Sequence, residues 1–148
     1  PDLYTANDFG SNNLWRNKGD GTFEETTTAA GVEDVGAGMS VSWEDYDNDG
    51  DLDLYVGNMF SAAGRRVTGG NDYKTGDQLL QSVYRRHARG NSLFSNAKDG
   101  SFEDVSLSSG AWFGRWAWGS DFLDFNLDGN EDLYVQNGFL TNSSEHDL

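Results

Sequence analysis

An all-β chain built from repeated four-stranded units, as in a β-propeller, is predicted by three features of this sequence. The chain repeats itself at an offset of 79 residues, so that residues 12–60 align with residues 91–139 at 17 of 49 positions. Aromatic residues make up 14% of the chain, which is far more than an acidic disordered tail carries. Nineteen glycines and a single proline indicate many tight turns.

Within one repeat, the residue pattern predicts strands joined by turns. Residues 13–17 and 22–26 flank a turn at Asp20 and Gly21, which is typical of a hairpin. Residues 39–44 and 52–58 flank an acidic, glycine-containing loop. A repeat of about 50 residues with four such strands matches the size of a propeller blade.

A third copy of the repeat begins the chain, because Asp2, Leu3 and Tyr4 repeat the residues found 51 positions later. We therefore predict a single propeller segment with three parts. Its parts are a partial blade at 1–35, a complete blade at 36–106, and a partial blade with a polar tail at 107–148. Such a segment is either a piece of a longer polypeptide or a subunit that neighbouring copies complete.

The complete blade contains an insertion at residues 61–90, because this interval is 28 residues longer than the preceding one. Asp77 is a suitable N-cap and Gly90 a suitable end, which predicts a short amphipathic helix at about residues 77–89. Its apolar stripe consists of Leu79, Leu80, Val83, Tyr84 and His87. The insertion carries six of the ten basic residues and only two acidic ones, so it is a basic element in an acidic chain.

The overall charge excludes several functions. A net charge of −15 and a pI near 4.1 argue against nucleic-acid binding and against docking on an anionic membrane. No window is apolar enough to insert into a membrane. The absence of cysteine excludes disulfides, iron–sulfur clusters and thiol chemistry.

Two acidic loops are the strongest functional signal. The first loop comprises residues 45–53, and the second loop comprises residues 124–132. Both loops place side-chain oxygens at alternate positions around a glycine, as Ca²⁺ coordination requires. An EF-hand has Glu at position 12, whereas these loops have Val56 and Val135 there, inside strands. We therefore predict two Ca²⁺ sites between strands; the alternative is a pair of metal-free Asx turns. The candidate ligands are Asp45, Asp47, Asp49, Asp51 and Asp53 in the first loop, and Asp124, Asn126, Asp128, Asn130 and Asp132 in the second.

The Asp-x-Asp-x-Asp-Gly-x-x-Asp pattern of these loops resembles the FG-GAP and VCBS repeats, which occur in integrin α-subunit propellers and in bacterial surface proteins. Residues 13–23, 38–56 and 114–119 are more similar still to the cartilage acidic protein-like group, and Phe9 and Gly10 stand where the FG element falls. The resemblance implies a calcium-stabilised propeller of a secreted or surface protein without an assigned catalytic activity. The basic insertion is unlike an integrin blade.

We expect an extracellular or cell-surface module that binds a protein or glycan partner, with Ca²⁺ as its cofactor. Two other functions stay open: a structural subunit that assembles head to tail into a ring or filament through incomplete blades, and a fragment of a propeller enzyme acting on polysaccharide. For the enzyme, the candidate groups are His87, Arg85, Arg86, Tyr73 and Tyr84. The favoured alternative is that the helix packs on the blade with its arginines facing an acidic surface. No serine elbow, His-Glu-x-x-His motif or P-loop is present. Asn142 begins a glycosylation sequon.

Overall fold

Three antiparallel sheets follow one another along the chain in the computed structural model, which describes residues 1–70, 73 and 76–137. The first sheet contains β1 (Leu3–Thr5), β2 (Asn13–Asn17) and β3 (Phe23–Glu25). The second contains β4 (Gly38–Glu44), β5 (Asp53–Asn58), β6 (Ser92–Asn96) and β7 (Phe102–Asp104). The third contains β8 (Ala117–Leu123) and β9 (Asp132–Asn137). The prediction of an all-β segment is confirmed; the predicted tail with Asn142 lies outside the described residues.

The sequence repeat is reproduced in the strand register. Glu44 pairs with Asp53 in the second sheet, and Leu123 pairs with Asp132 in the third, at the same offset of 79 residues. Both pairs of strands also carry an irregularity near their far end, at Gly38 in one sheet and at Ala117 in the other. The two acidic loops therefore join strands of matching geometry.

Strand β5 is the centre of the packing, because all six of its residues are buried. Leu54 and Val56 belong to the core shared with the first sheet, which also contains Tyr4, Leu14 and Phe94. Tyr55 belongs instead to a second core with Leu93 of the same sheet and Phe122 of the third sheet. Because side chains alternate along a strand, β5 packs against one neighbouring sheet on each face.

The second and third sheets are also joined by polar contacts. The hydroxyl groups of Ser40 and Ser120 lie 2.8 Å apart, and the Ser42 hydroxyl donates to the Ser120 carbonyl at 2.8 Å. The rings of Tyr55 and Phe122 meet edge to face, with centroids 5.9 Å apart. Strands β4 and β8 are thus fixed side by side.

One-turn helices interrupt the all-β pattern after each hairpin. Helix α1 (Thr27–Ala30) follows β3, and a second short helix (Ser106–Ser109) follows β7, again 79 residues later. Gly31 and Gly110 end them with φ angles of 74° and 80°, a backbone region that favours glycine. The sequence pattern did not predict these two one-turn helices.

The insertion forms two helices, α2 (Ala62–Thr68) and α3 (Gln78–Arg89). In α3, the Asp77 carboxylate accepts a hydrogen bond from Leu80 N at 2.9 Å, which is the expected cap. The one-turn helix at Ser106–Ser109 comes after α3 in the chain and is α4. None of the helices in the described part of the chain has the length and apolarity needed to cross a membrane.

The apolar side chains of α3 are not buried in the way that their spacing predicts. Leu79 is 76% exposed, and Val83 and Tyr84 are also exposed, whereas Ala88 is the residue of α3 that is buried. The helix is held by ionic contacts instead: Arg86 and Arg89 contact Asp104 at 2.9 and 3.0 Å. The arginines therefore determine which face of the helix meets the sheet.

A buried carboxylate joins the first two sheets to the insertion. Asp34 is 1% exposed, and its Oδ1 accepts from Gly36 N at 2.9 Å and lies 3.4 Å from the Arg86 guanidinium. Its Oδ2 accepts from the Asn58 amide at 2.9 Å and from the Ser92 hydroxyl at 2.6 Å. A buried charge is stable only when it is paired and hydrogen-bonded, and Asp34 meets both conditions.

Replacing Asp34 by alanine is expected to destabilise the chain by about 3 kcal/mol, because the change leaves buried donors without an acceptor. Urea unfolding followed by tryptophan fluorescence measures this loss. Asp8→Ala, at an exposed position, is the control and should stay within about 0.5 kcal/mol of the unmutated chain. A loss below about 1 kcal/mol for Asp34→Ala would contradict the structural role given to this carboxylate.

Candidate metal centre

The first loop turns sharply because its backbone N–H groups converge on one carboxylate. The Asp45 oxygens accept hydrogen bonds from Asp49 N and Gly50 N, both at 2.9 Å. Asn48 and Gly50 have φ angles of 60° and 92°, so the chain reverses through the left-handed region. Asparagine and glycine are the residues that adopt this conformation most readily, which explains their place here.

Three carboxylates meet at the outer side of this turn. Asp45, Asp47 and Asp49 each offer an oxygen atom, and these atoms lie within 4.8 Å of one another. Asp47 and Asp49 are exposed and Asp45 is half-buried, so an ion can reach the group from solvent. Hard carboxylate oxygens in this number suit Ca²⁺, which takes six to eight oxygen ligands and completes its shell with water.

The other two candidate ligands of the first loop have different surroundings. Asp53 is buried, and its two oxygens accept hydrogen bonds from Tyr46 N at 3.2 Å and from Asn96 N at 2.8 Å. Burial raises the pKa of Asp53, although these hydrogen bonds act in the opposite direction. Asp53 thus fixes the base of the loop to strand β6, while Asp51 faces Lys98 at 3.3 Å.

A lysine ammonium contacts the first loop. Lys98 lies in the turn between β6 and β7, and its Nζ is 3.2 Å from Asp49 Oδ2. The hydrogen bond to Asp49 and the neighbouring contact with Asp51 raise the pKa of Lys98, so its ammonium form is favoured. The sequence interpretation missed this contact, because the turn is 49 residues away along the chain.

The second loop has the same backbone course as the first. Asp124 accepts from Asp128 N at 3.0 Å and from Gly129 N at 2.8 Å, and Asp132 accepts from Phe125 N at 3.1 Å. Leu127 and Gly129 have φ angles of 60° and 85°. The hydrogen bonds of Asp45 and Asp53 to their own loop are therefore repeated 79 residues later.

The side chains of the second loop are less charged and more engaged with one another. The amide groups of Asn126 and Asn130 each donate to the Asp128 carboxylate at 2.9 Å. The Asn130 backbone N–H and these two amides lower the pKa of Asp128. The loop offers Ca²⁺ both carboxylate and amide oxygens, so the donor set fits the ion with less charge than in the first loop.

The two loops contact each other directly. The Asn48 amide donates to the Asn130 side-chain oxygen at 3.0 Å. The sequence places these residues 82 positions apart, and no feature of the repeat predicts their contact. The two candidate sites therefore lie at one edge of adjacent sheets.

The candidate catalytic residues make contacts in and around the insertion. His87 Nδ1 lies 2.8 Å from the Val35 carbonyl oxygen, and Arg85 Nε donates to the Thr68 carbonyl at 2.9 Å. The rings of Tyr73 and Tyr84 pack edge to face at 5.9 Å. These contacts attach α3 to α2 and to the segment that precedes β4.

Part of the chain is similar to known repeat proteins. Residues 1–56 match the FG-GAP-like repeat family. Over 58 residues the chain is 41% identical to cartilage acidic protein 1 of Xenopus tropicalis and 40% identical to the human protein of that name. The aligned segment is 38% of this chain and 9% of the length of each relative. The resemblance to FG-GAP repeats and to cartilage acidic proteins is confirmed.

Replacing Asp49 by alanine is expected to remove Ca²⁺ from the first loop and to leave the second loop filled, because only the first loses a clustered carboxylate. Calorimetric titration should then show one bound ion per chain instead of two. Asp20→Ala, which removes an acidic residue from the exposed turn between β2 and β3, should still show two. Two bound ions in Asp49→Ala would contradict the ligand assignment.

Proposed function

We propose that this chain, whose first 56 residues are an FG-GAP-like repeat, is a calcium-stabilised extracellular propeller module that binds a partner and does not catalyse a reaction. The observation that carries the proposal is the meeting of Asp45, Asp47 and Asp49 at one turn. The repeated backbone course of the second loop supports a second site of the same kind.

Calcium would act by removing repulsion within the turn. Two like charges 4 Å apart repel by ~1 kcal/mol in bulk water and by ~4 kcal/mol at the lower dielectric of a protein surface. The ligand oxygens of the three clustered carboxylates lie within 4.8 Å of one another, so the loop gains stability when a divalent cation binds between them. Each loop connects two strands, so the bound ion would stiffen a hairpin.

The extracellular assignment is supported by the relatives and by the kind of site. The matched proteins are named cartilage acidic proteins, and cartilage is a tissue that consists mostly of extracellular matrix. Exposed carboxylate loops without a bidentate Glu suit the range of ~10⁻⁴–10⁻³ M in which extracellular modules bind calcium. Such sites fill where calcium is abundant.

Binding of a protein or glycan partner is supported by exposed aromatic rings of the third sheet and the second loop. Trp118, Phe125 and Tyr134 are 44%, 59% and 49% exposed. Aromatic side chains of this kind are enriched at recognition surfaces because they contribute apolar area and a polar edge. A non-catalytic role is supported by the contacts of His87, whose ring faces a backbone carbonyl.

Self-assembly is a second candidate function that one observation favours. Strand β5 is flanked by β4 and β6, whereas β9 pairs only with β8 among the residues that the structure describes. A strand edge with free N–H and C=O groups can accept a strand from another copy. Analytical ultracentrifugation at high calcium distinguishes the two functions: a monomer supports the binding module, and a ladder of oligomers supports assembly.

Saturating Ca²⁺ is expected to raise the thermal unfolding midpoint by roughly 10–20 °C relative to chelator, since each of the two ions at 100 times its Kd contributes about 2.7 kcal/mol. Differential scanning calorimetry measures the shift. The double variant Asp49→Ala, Asp128→Ala should lose it. An equal shift in the double variant, or no shift in the unmutated chain, would contradict the proposal.

A further inference from the structure

Lys98 places its ammonium group directly on the first loop. Its Nζ donates to the Asp49 carbonyl oxygen at 2.8 Å and lies 3.2 Å from Asp49 Oδ2 and 3.3 Å from Asp51 Oδ2. The other Asp49 carboxylate oxygen, Oδ1, accepts from Asp51 N at 3.1 Å. Both carboxylate oxygens of Asp49 are therefore engaged, one of them by a cation.

Lys98 has a backbone conformation that is unfavourable for a residue with a side chain. Its φ angle is 64°, and its N–H donates to the Asn96 side-chain oxygen at 2.9 Å. The matching turn of the first sheet has Gly19, with a φ of 80°, bonded in the same way to Asn17 at 2.8 Å. A glycine adopts this conformation without strain, whereas a lysine does not. A residue kept in an unfavourable conformation points to a role for its side chain.

We infer that Lys98 is an internal cation that competes with Ca²⁺ for the first loop. The inference rests on the proposed calcium function. It identifies Lys98 as a residue that sets the Ca²⁺ affinity of the first loop. In the calcium-free chain the ammonium partly neutralises Asp49 and Asp51. When Ca²⁺ takes an oxygen of Asp49, the ammonium is repelled and leaves that carboxylate.

The second loop has a different arrangement at the equivalent carboxylate. The oxygens of Asp128 accept from the neutral amides of Asn126 and Asn130. An amide can rotate to present its oxygen to an ion, whereas an ammonium has only donors. The contact with a lysine ammonium is therefore shown at the first loop.

The test compares Lys98→Met with Lys18→Met, both in the Asp128→Ala background so that only the first loop binds. Lys18 is exposed in the turn between β2 and β3, so its replacement removes the same charge away from the loop. Calorimetric titration should show that Lys98→Met binds Ca²⁺ roughly three- to tenfold more tightly, an effect limited by solvent screening. Lys18→Met should match the background.

Unchanged or weaker binding in Lys98→Met would overturn the inference, because the lysine would then be neutral or helpful to the site. An equal gain in Lys18→Met would also overturn it, because net charge alone would explain the gain. Lys98→Gly, which copies Gly19, should bind as tightly as Lys98→Met. Absence of calcium binding in the unmutated chain would instead overturn the proposed function itself.

Release of the ammonium has a readout of its own. Acylation of Lys98 by an amine-reactive ester, followed by mass spectrometry, should become faster when Ca²⁺ is added to the unmutated chain. Lys18 in the same sample is the internal control and should react at a constant rate. Acylation of Lys98 at an unchanged rate, in a chain that binds Ca²⁺, would overturn the displacement.

Discussion

Crowding of carboxylates in the turn between two strands is the constraint on which the rest of this structure depends. Asp45 orients the turn by accepting two backbone N–H groups, and Asp53 anchors its base to strand β6. These hydrogen bonds hold Asp47 and Asp49 close to Asp45 instead of letting them separate. A fold that fixes like charges together needs a cation near them, and Lys98 is a cation that this chain itself supplies.

The strands transmit this local constraint to the neighbouring sheets. Strand β4 enters the first loop and is joined to β8 through Ser40, Ser42 and Ser120. Strand β5 leaves the loop and is buried between two cores. A change in the loop therefore acts on the hairpin that fixes the first and third sheets to the second. Calcium, on the proposed function, would stiffen the contact between blades as well as the turn.

Much of the fold follows from the repeat alone, because equal spacing of equal residues gives equal strand register in β4–β5 and β8–β9. The capped helix α3 follows from Asp77 and Gly90. The buried face of α3 could not be predicted from its apolar side chains. Ion pairs of Arg86 and Arg89 with acidic residues that are distant in the sequence determine which face packs against the sheets. Lys98 was missed for a related reason: sequence spacing does not show which side chains a sheet brings together.

The most direct measurement is an anomalous difference map from crystals of the 148-residue chain grown with Ca²⁺. If both loops bind Ca²⁺, one peak is expected at ~2.3–2.6 Å from oxygens of Asp45, Asp47 and Asp49. A second peak is expected in the loop that contains Asp124 and Asp128. The Lys98 ammonium should then lie farther from Asp49 than 3.2 Å. No peak in either loop at saturating calcium would contradict the calcium function and leave the two loops as metal-free Asx turns.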